Sequence, residues 1–480
     1  MATTAQNEDG GRDRSAEGGY LVGVRSPAGH AASASRSVRR RQTRPRVLAA
    51  LRDFALVPFS VVAGFAALAV LSILADQTKS FSALDGLRGA VGHVIGAQAA
   101  NAALQAVATG LVTVTSITFS VLLLAVQQTA SSLSPVVFDQ FLRRRANQAF
   151  LGFFVGLALF SYVVMAAVQD KMPPIMGAAI AVVLTIVALL ILIVLVYTTI
   201  SQMRPTNVVS HIRGRVLDAR RREAALIACT RRTSTGEHDV LATYYAEVTG
   251  YLTSVDLDRL RAALQPAENA EVELLVTVGQ AVAVGDPLAL VRDGEQQRAE
   301  DIAREVAAAF NVTEQRDIAD DASTGIDTLG NIAWTSGSTA KQNPEVAREV
   351  LHALKDVAAR WMVDDPVEPQ DDPLPVVYRD DDLDRVLDWL YSLLVSSHES
   401  HQHLLAADVL AAYAALWRLA DDPTRGRLRR DLDAAEPLLD EMPPSPMLDR
   451  ERRQLAERMQ DQPSSGSAVA DVRERQTVRR

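Results

Sequence analysis

Cysteine is nearly missing from this 480-residue chain: Cys229 stands alone, so no intramolecular disulfide framework can support the fold. Lysine is almost as scarce, occurring only at positions 79, 171, 341 and 355. Also missing are an HExxH pair, a Gly-rich phosphate loop with its lysine-hydroxyl ending, and any Ser-His-Asp or Cys-His pattern readable along the chain. The expectation is a protein that is not an enzyme, with no cofactor, no metal and no nucleic-acid partner. Charge is missing too, but only locally. Residues 1–205 carry 17 basic and 9 acidic side chains, and the remainder carries 32 and 49, so two physically different halves share one chain.

The uncharged runs define the first half. Phe54 to Leu74 is free of charge, and as a helix rising ~1.5 Å per residue it matches a hydrocarbon core of roughly 30 Å. No charged residue appears between Arg88 and Asp139. Because Gln98, Asn101 and Gln105 make the first part polar, the second span is expected near Ala106 to Gln128, preceded by an interfacial or outer helix. Ala146 to Val168 reads as the third span. The fourth starts behind Pro173-Pro174, tolerable in a first helical turn, and runs from Ile175 to about Ile200.

Basic residues set the expected orientation, because Lys and Arg in short segments stay on the cytoplasmic side. They cluster before span one (Arg36 to Arg52), between spans two and three (Arg143, Arg144, Arg145) and after span four (Arg204 to Arg222), while the alternate loops are neutral. Both termini are therefore expected inside. The resulting division is a disordered cytoplasmic tail over 1–45, a four-span transmembrane domain over 46–205, a linker helix and small β module over 206–300, a helical cytoplasmic domain over 301–440, and a disordered tail over 441–480. In fold class this is an α-helical integral membrane protein with four transmembrane helices and a C-terminal cytoplasmic α+β domain.

Within the second half, Val208 to Arg232 reads as a basic helix leaving the membrane, with Arg220, Arg221 and Arg222 either meeting the anionic leaflet or lying on a solvated face. Leu241 to Val255 and the alternating Val272, Leu274, Val276 and Val278 read as strands with one buried face, and Gly285-Asp286-Pro287 as a turn. The module is loosely similar to the scaffold of biotinyl and lipoyl carriers, without their lysine. From Arg298 onward the spacing is helical, taking in Ile302, Val306, Ala309 and Phe310, then Ile326 to Trp334, Val346 to Trp361, Leu383 to Leu394 and Leu404 to Leu419. Thr335 to Thr339 reads either as a loop holding an anion on its backbone amides or, since it lacks the phosphate-loop spacing and lysine-hydroxyl ending, as a plain interhelical loop.

Several motifs resemble one family. Val114-Thr115-Ser116-Ile117-Thr118-Phe119-Ser120, then Gln127, Ser131-Ser132, Leu133-Ser134-Pro135 and the arginine triplet, are similar to the signature of the bacterial predicted-membrane-protein family called domain of unknown function 2254. Gly250-Tyr251-Leu252 with Val255-Asp256, Gly285-Asp286, and Arg316 with Asp320 resemble its soluble half. The likeness covers about residues 48 to 435. The loop Ser336 to Pro344 departs from the family's Ser-Pro-Gly-Ile-Asn-Asp-Pro-like pattern. The resemblance implies an integral protein of the bacterial inner membrane, in contact with the lipid bilayer, and supplies no established activity.

Three constellations carry candidate chemistry. At ~100° per residue, Gln98, Gln105, Thr109, Thr113, Ser116, Ser120 and Gln127 fall within about 80° of arc, a polar stripe that either lines a pore or packs helices. Gly152 and Gly156 form a small-xxx-small motif, read either as self-association into a homo-oligomer or as internal packing. His398, His401 and His403 are the one histidine cluster, read as an exposed helix end rather than a metal site. Two function classes are consistent with these residues: a channel-like or transport protein with a cytoplasmic regulatory domain, or a non-conducting scaffold or sensor whose soluble module binds a partner or ligand. Neither the solute nor the ligand is written in the residues.

Overall fold

A computed structural model of the chain describes residues 46–77, 97–132, 145–167, 175–202, 204–264, 270–314, 316, 318, 321–338, 344–365, 367 and 370–460. The two expected disordered tails fall outside them, apart from residues 441–460. So do Arg143, Arg144, Asp320, Thr339 and the rest of that departing loop up to Asn343. The chain divides into two units, Met1–Leu56 and Val57–Arg480. Of the first, only the helical residues 46–56 are described; both sheets and all the buried cores lie in the second.

Four long apolar helices come first: α1 (Arg46–Gln77), α2 (Ala97–Ser132), α3 (Arg145–Ala166) and α4 (Ile175–Gln202). Each holds a window long and apolar enough to cross a bilayer, at Ala55–Leu74, Ala99–Ser120, Arg145–Ala166 and Met176–Thr198. One expectation is corrected. No break separates an outer helix from a span at Ala106; α2 is continuous, and its apolar window ends at Ser120 instead of Gln128. Asn101 and Gln105 are exposed while Ala100, Leu104, Ala108 and Leu111 are buried, so the polar residues occupy one face and leave the helix itself intact. The membrane core joins those residues to Phe154, Leu157, Phe160 and Val164 of α3 and Ala178, Ala181 and Ala188 of α4. Val183, Ile186, Leu189, Leu190 and Ile193 of α4 are exposed large hydrophobics, as a lipid-facing surface requires.

Past the spans, α5 (Pro205–Ala228) leads into β1 (Val240–Tyr245), β2 (Gly250–Val255), α6 (Leu257–Leu264), β3 (Glu271–Leu274), β4 (Ala281–Val282), β5 (Pro287–Arg292), α7 (Gln296–Ala307) and β6 (Phe310–Thr313). Next come α8 (Ala322–Gly337), α9 (Glu345–Asp364), β7 (Val376–Val377), α10 (Asp382–Glu399), α11 (His403–Trp417), α12 (Asp422–Glu441) and α13 (Pro446–Gln460). The strands make two small sheets, ordered β1-β5-β3-β7 and β4-β2-β6. All pairs are antiparallel except β3 with β7, which run parallel with Val272 opposite Val376 and Glu273 opposite Val377.

Here the sequence reading needs four corrections. The alternation through Val276 and Val278 does not extend the strand: β3 ends at Leu274, and both valines are buried in the irregular approach to a turn at Gly279. Phe310 starts a strand instead of ending a helix, and β6 and β7 draw residues beyond 300 into the β module. Thr335 to Gly337 belong to α8, so the expected interhelical loop starts later. Finally, 446–460 is helical, with Leu448 and Leu455 buried in the same core as α8 to α12, so this part of the expected tail is ordered. That core also takes Val208, Val209, Ile212, Val216 and Ala219 of α5, which makes α5 a structural member of the helical region.

Candidate functional site

The membrane stripe is built on the face of α2 opposite its buried residues. Thr109, Thr113, Ser116, Ser120 and Gln127 are all exposed. The Thr113 hydroxyl donates to the carbonyl of Thr109 at 2.9 Å, and that of Ser120 to the carbonyl of Ser116 at 2.8 Å. These bonds satisfy the hydroxyl protons inside the helix and leave oxygen lone pairs facing outward. Gly110 adds to this open surface: a Cβ there would meet nothing within 4 Å among the described residues. The glycine pair of α3 behaves oppositely. A Cβ at Gly152 would stand 2.9 Å from the Cα of Pro58, and one at Gly156 would stand 2.5 Å from the Phe65 ring. Phe65 also meets Phe153 edge-on at 5.2 Å, so both glycines sit at a close internal approach to α1.

The second site lies where α5 meets the rest of the soluble region. The reading of Arg220 as a leaflet-facing or solvated residue is overturned: it is 3% exposed. Its Nη2 and Nε reach the two carboxylate oxygens of Asp365 at 2.8 and 3.4 Å, and its Nη1 reaches Asp380 at 2.7 Å and Asp382 at 3.4 Å. The guanidinium also lies 5.1 Å from the ring centre of Trp361. Three consecutive arginines on a helix point in three directions, about 100° apart. Arg221 and Arg222 are both exposed, and Arg221 pairs with Asp218 at 2.9 Å. The signal that identifies the buried arginine is the run Val209, Ile212, Val216, whose spacing carries straight on to Arg220 and Glu223.

Glu223, one turn on, accepts the backbone N–H of Ala322 at 3.1 Å, in the first turn of α8. The capping residue of that helix, Asp321, is fully buried and accepts from Thr324 N–H and from the hydroxyls of Thr324 (2.8 Å) and Ser323 (3.0 Å). Gly279 abuts this cap with φ +90°. A Cβ there would collide with Ser323 Oγ and Asp321 Oδ1, so only glycine satisfies both the backbone angle and the space. Next to it the N–H of Val278 donates to the hydroxyl of Tyr378 at 3.1 Å.

Beside this, Asp327 accepts from Arg316 (3.1 Å), Arg385 (3.4 Å) and the indole of Trp389 (3.1 Å), and Arg316 lies over the ring of Tyr251 at 5.3 Å. The hub therefore joins α5, α8, α9, α10, the β module and the segment carrying Arg316 and Ile318.

Electrostatics follow from burial. Burial pushes the Glu223 carboxyl up to about 7, against the opposing pull of the Ala322 N–H and Arg220. Burial, then the charges of Glu223 and Asp380, hold Asp382 well above the usual carboxylate range. Arg220 is raised in spite of its burial, because Asp380 and the bond to Asp365 outweigh desolvation.

Other candidates are less organised. His398 meets Glu441 at 3.1 Å, and His401 takes a left-handed φ of 51° in the short link to α11. Among the described residues no group of three or more His, Cys, Asp or Glu is placed to hold a metal ion. A cleft of about 420 Å³ is bordered by Arg231, His238, Glu271 and Arg292. Its Glu271 is already occupied by Thr235, whose N–H and hydroxyl lie at 2.9 and 3.0 Å.

No curated protein and no solved structure matches the chain. One family model does, that of the Predicted membrane protein (DUF2254) family, over residues 52–406. That interval takes in the apolar windows of all four long helices, the β module and the hub from Arg220 to Trp389, and the chain belongs to the DUF2254 family of membrane proteins.

Proposed function

We propose that this protein is a channel-like or transport-related homo-oligomer of the bacterial cytoplasmic membrane, with both termini in the cytoplasm and the soluble region regulating the membrane region. The observation that carries the reading is the outward exposure of Thr109, Thr113, Ser116, Ser120 and Gln127. A continuous stripe of hydroxyls and amides disfavours lipid contact. Copies arranged about an axis would turn it inward, where oxygen lone pairs substitute for part of a solute's hydration shell. The described stripe offers no fixed charge, which fits neutral solutes or small ions. Orientation rests on the basic clusters before span one, between spans two and three, and after span four.

A second reading has its own support. Gly110 and the self-satisfied hydroxyls of Thr113 and Ser120 also suit close packing between the helices of two copies, which would make the assembly a non-conducting scaffold. Reconstituted vesicles separate the two. Flux that is abolished by leucine at Thr113 and Ser116, with the oligomer preserved, supports the channel. Loss of the oligomer with no flux from the unaltered protein rejects it.

A further inference from the structure

We propose that the cleft beside Arg231 is a binding site for a small phosphate-bearing anion, which Arg231, His238 and Arg292 hold between the exit of α5 and the end of β5. The cleft, of about 420 Å³, has the size that takes one small molecule. Its walls are fixed by the fold. Arg231 stands two residues beyond Cys229, the C-cap of α5, and its backbone is tied to β7: its N–H donates to the Val376 carbonyl at 2.7 Å, and its carbonyl accepts from the N–H of Tyr378 at 2.9 Å. Arg292 ends β5 directly opposite Glu271 of β3. The loop that joins Arg231 to β1 is fastened by the same Glu271. One carboxylate oxygen accepts the Ser234 hydroxyl, and the other accepts the N–H and hydroxyl of Thr235 at 2.9 and 3.0 Å. Gly236, at φ +68°, then turns the chain toward His238.

The balance of donors and acceptors sets the charge of the ligand. Glu271 is buried and already accepts three hydrogen bonds, so it has little to offer a cation. Glu237, the other carboxylate of the lining, is exposed to water. The donors, by contrast, are unspent. Neither the Arg231 guanidinium nor the His238 ring makes a hydrogen bond or ion pair among the described residues. Arg292 gives Nη2 to Glu273 at 2.6 Å and sets Nε 3.5 Å from Glu271, which leaves Nη1 without a hydrogen bond among the described residues. Donors in excess of acceptors select an anion. Two planar guanidiniums and an imidazole, from three separate stretches of chain, outnumber the two oxygens of a carboxylate and match the three terminal oxygens of a phosphate monoester. A ligand held by both arginines fastens the exit of α5 to β5. The soluble region thereby gains a chemical input at one end of the helix that begins beside span four. The site stands whether or not the membrane region conducts, since its test measures binding alone.

The full chain in maltoside micelles, which carry no phosphate of their own, supplies that test. Calorimetric titration with pyrophosphate, inorganic phosphate and succinate reads the affinity, and broadening of the phosphorus NMR lines checks it. The unaltered chain should bind one pyrophosphate with a dissociation constant below about 1 mM. Arg231→Ala, which keeps the backbone bonds to β7, should weaken binding about tenfold or more. Glu237→Gln removes a negative charge from the lining and should tighten it. Arg232→Ala, next in the chain but outside the lining, should leave it unchanged. Arg292→Ala also strands Glu273, so it is compared only where circular dichroism shows the fold intact; should an arginine variant not fold, His238→Ala and Glu237→Gln carry the same comparison. Absence of saturable binding, equal binding by a folded Arg231→Ala chain, unaltered binding in both His238→Ala and Glu237→Gln, or tighter binding of succinate than of inorganic phosphate overturns the site.

Discussion

Arg220 grips both carboxylate oxygens of Asp365, at 2.8 and 3.4 Å, while the ring of Trp361 covers its guanidinium. Removing one partner of such a buried pair strands the other charges in a desolvated site, which costs about 3–5 kcal/mol. Arg220→Ala should therefore lower the midpoint of chemical denaturation of the full chain sharply, and Arg220→Lys should restore little because an ammonium cannot fork. Arg221→Ala, which removes an exposed pair with Asp218, should stay within about 0.5 kcal/mol.

The two positive-φ glycines of the β module should part company. Gly279→Ala meets Ser323 and Asp321 as well as an unfavourable backbone angle, and should disrupt the capping of α8. Gly285→Ala, at φ +92° with open space around it, should show only the conformational cost of about 1–2 kcal/mol. Denaturation curves of the two variants, side by side, measure the difference.

Two glycines of the membrane helices offer another contrast. Gly156→Leu inserts a side chain into the Phe65 ring and should destabilise the fold itself, seen as a fall in melting temperature at any protein concentration. Gly110→Leu meets no neighbour within the described chain. It should leave the melting temperature of the isolated subunit in place while weakening cross-linking between copies. Normal cross-linking of the leucine variant at Gly110 would remove α2 from the interface.

How much of the molecule is legible in its sequence depends on the range of the interaction involved. The four spans announce themselves because the absence of charge from a run such as Phe54 to Leu74 is a local property of adjacent residues. The β module is half legible. Val276 and Val278 alternate like a strand, but their fate is decided by the turn that Gly279 makes against Ser323, some forty residues further on. Val376–Val377 pairs in parallel with β3 from a hundred residues away, beyond any local pattern. Arg220 misleads for a related reason: a triplet of arginines looks like a basic surface until the helical period assigns one of them to the apolar face. The stripe on α2 is legible as a stripe, and only the packed chain shows it facing outward.

Orientation has a direct assay. With Cys229→Ala as background, Ser82→Cys should react with an impermeant maleimide added outside, and Arg144→Cys only after permeabilisation. The reverse pattern would invert the assignment of every loop.

The joint between span four and the hub helix has a mechanical consequence. Pro205 opens α5 without an amide hydrogen, and Arg204 before it is extended at φ −65°, ψ 127°, so the two helices cannot merge into one continuous rod. Yet the corner is braced: the Asn207 side chain donates to the carbonyl of Ser201 at 2.6 Å, and the Arg204 carbonyl takes the N–H groups of Asn207 and Val208. From that elbow Arg220 lies fifteen residues along, roughly 22 Å at helical rise. A braced elbow at one end and the charged hub near the other make α5 a lever arm. A small tilt at the hub arrives at the end of span four as torque about a fixed corner, with little lost to bending.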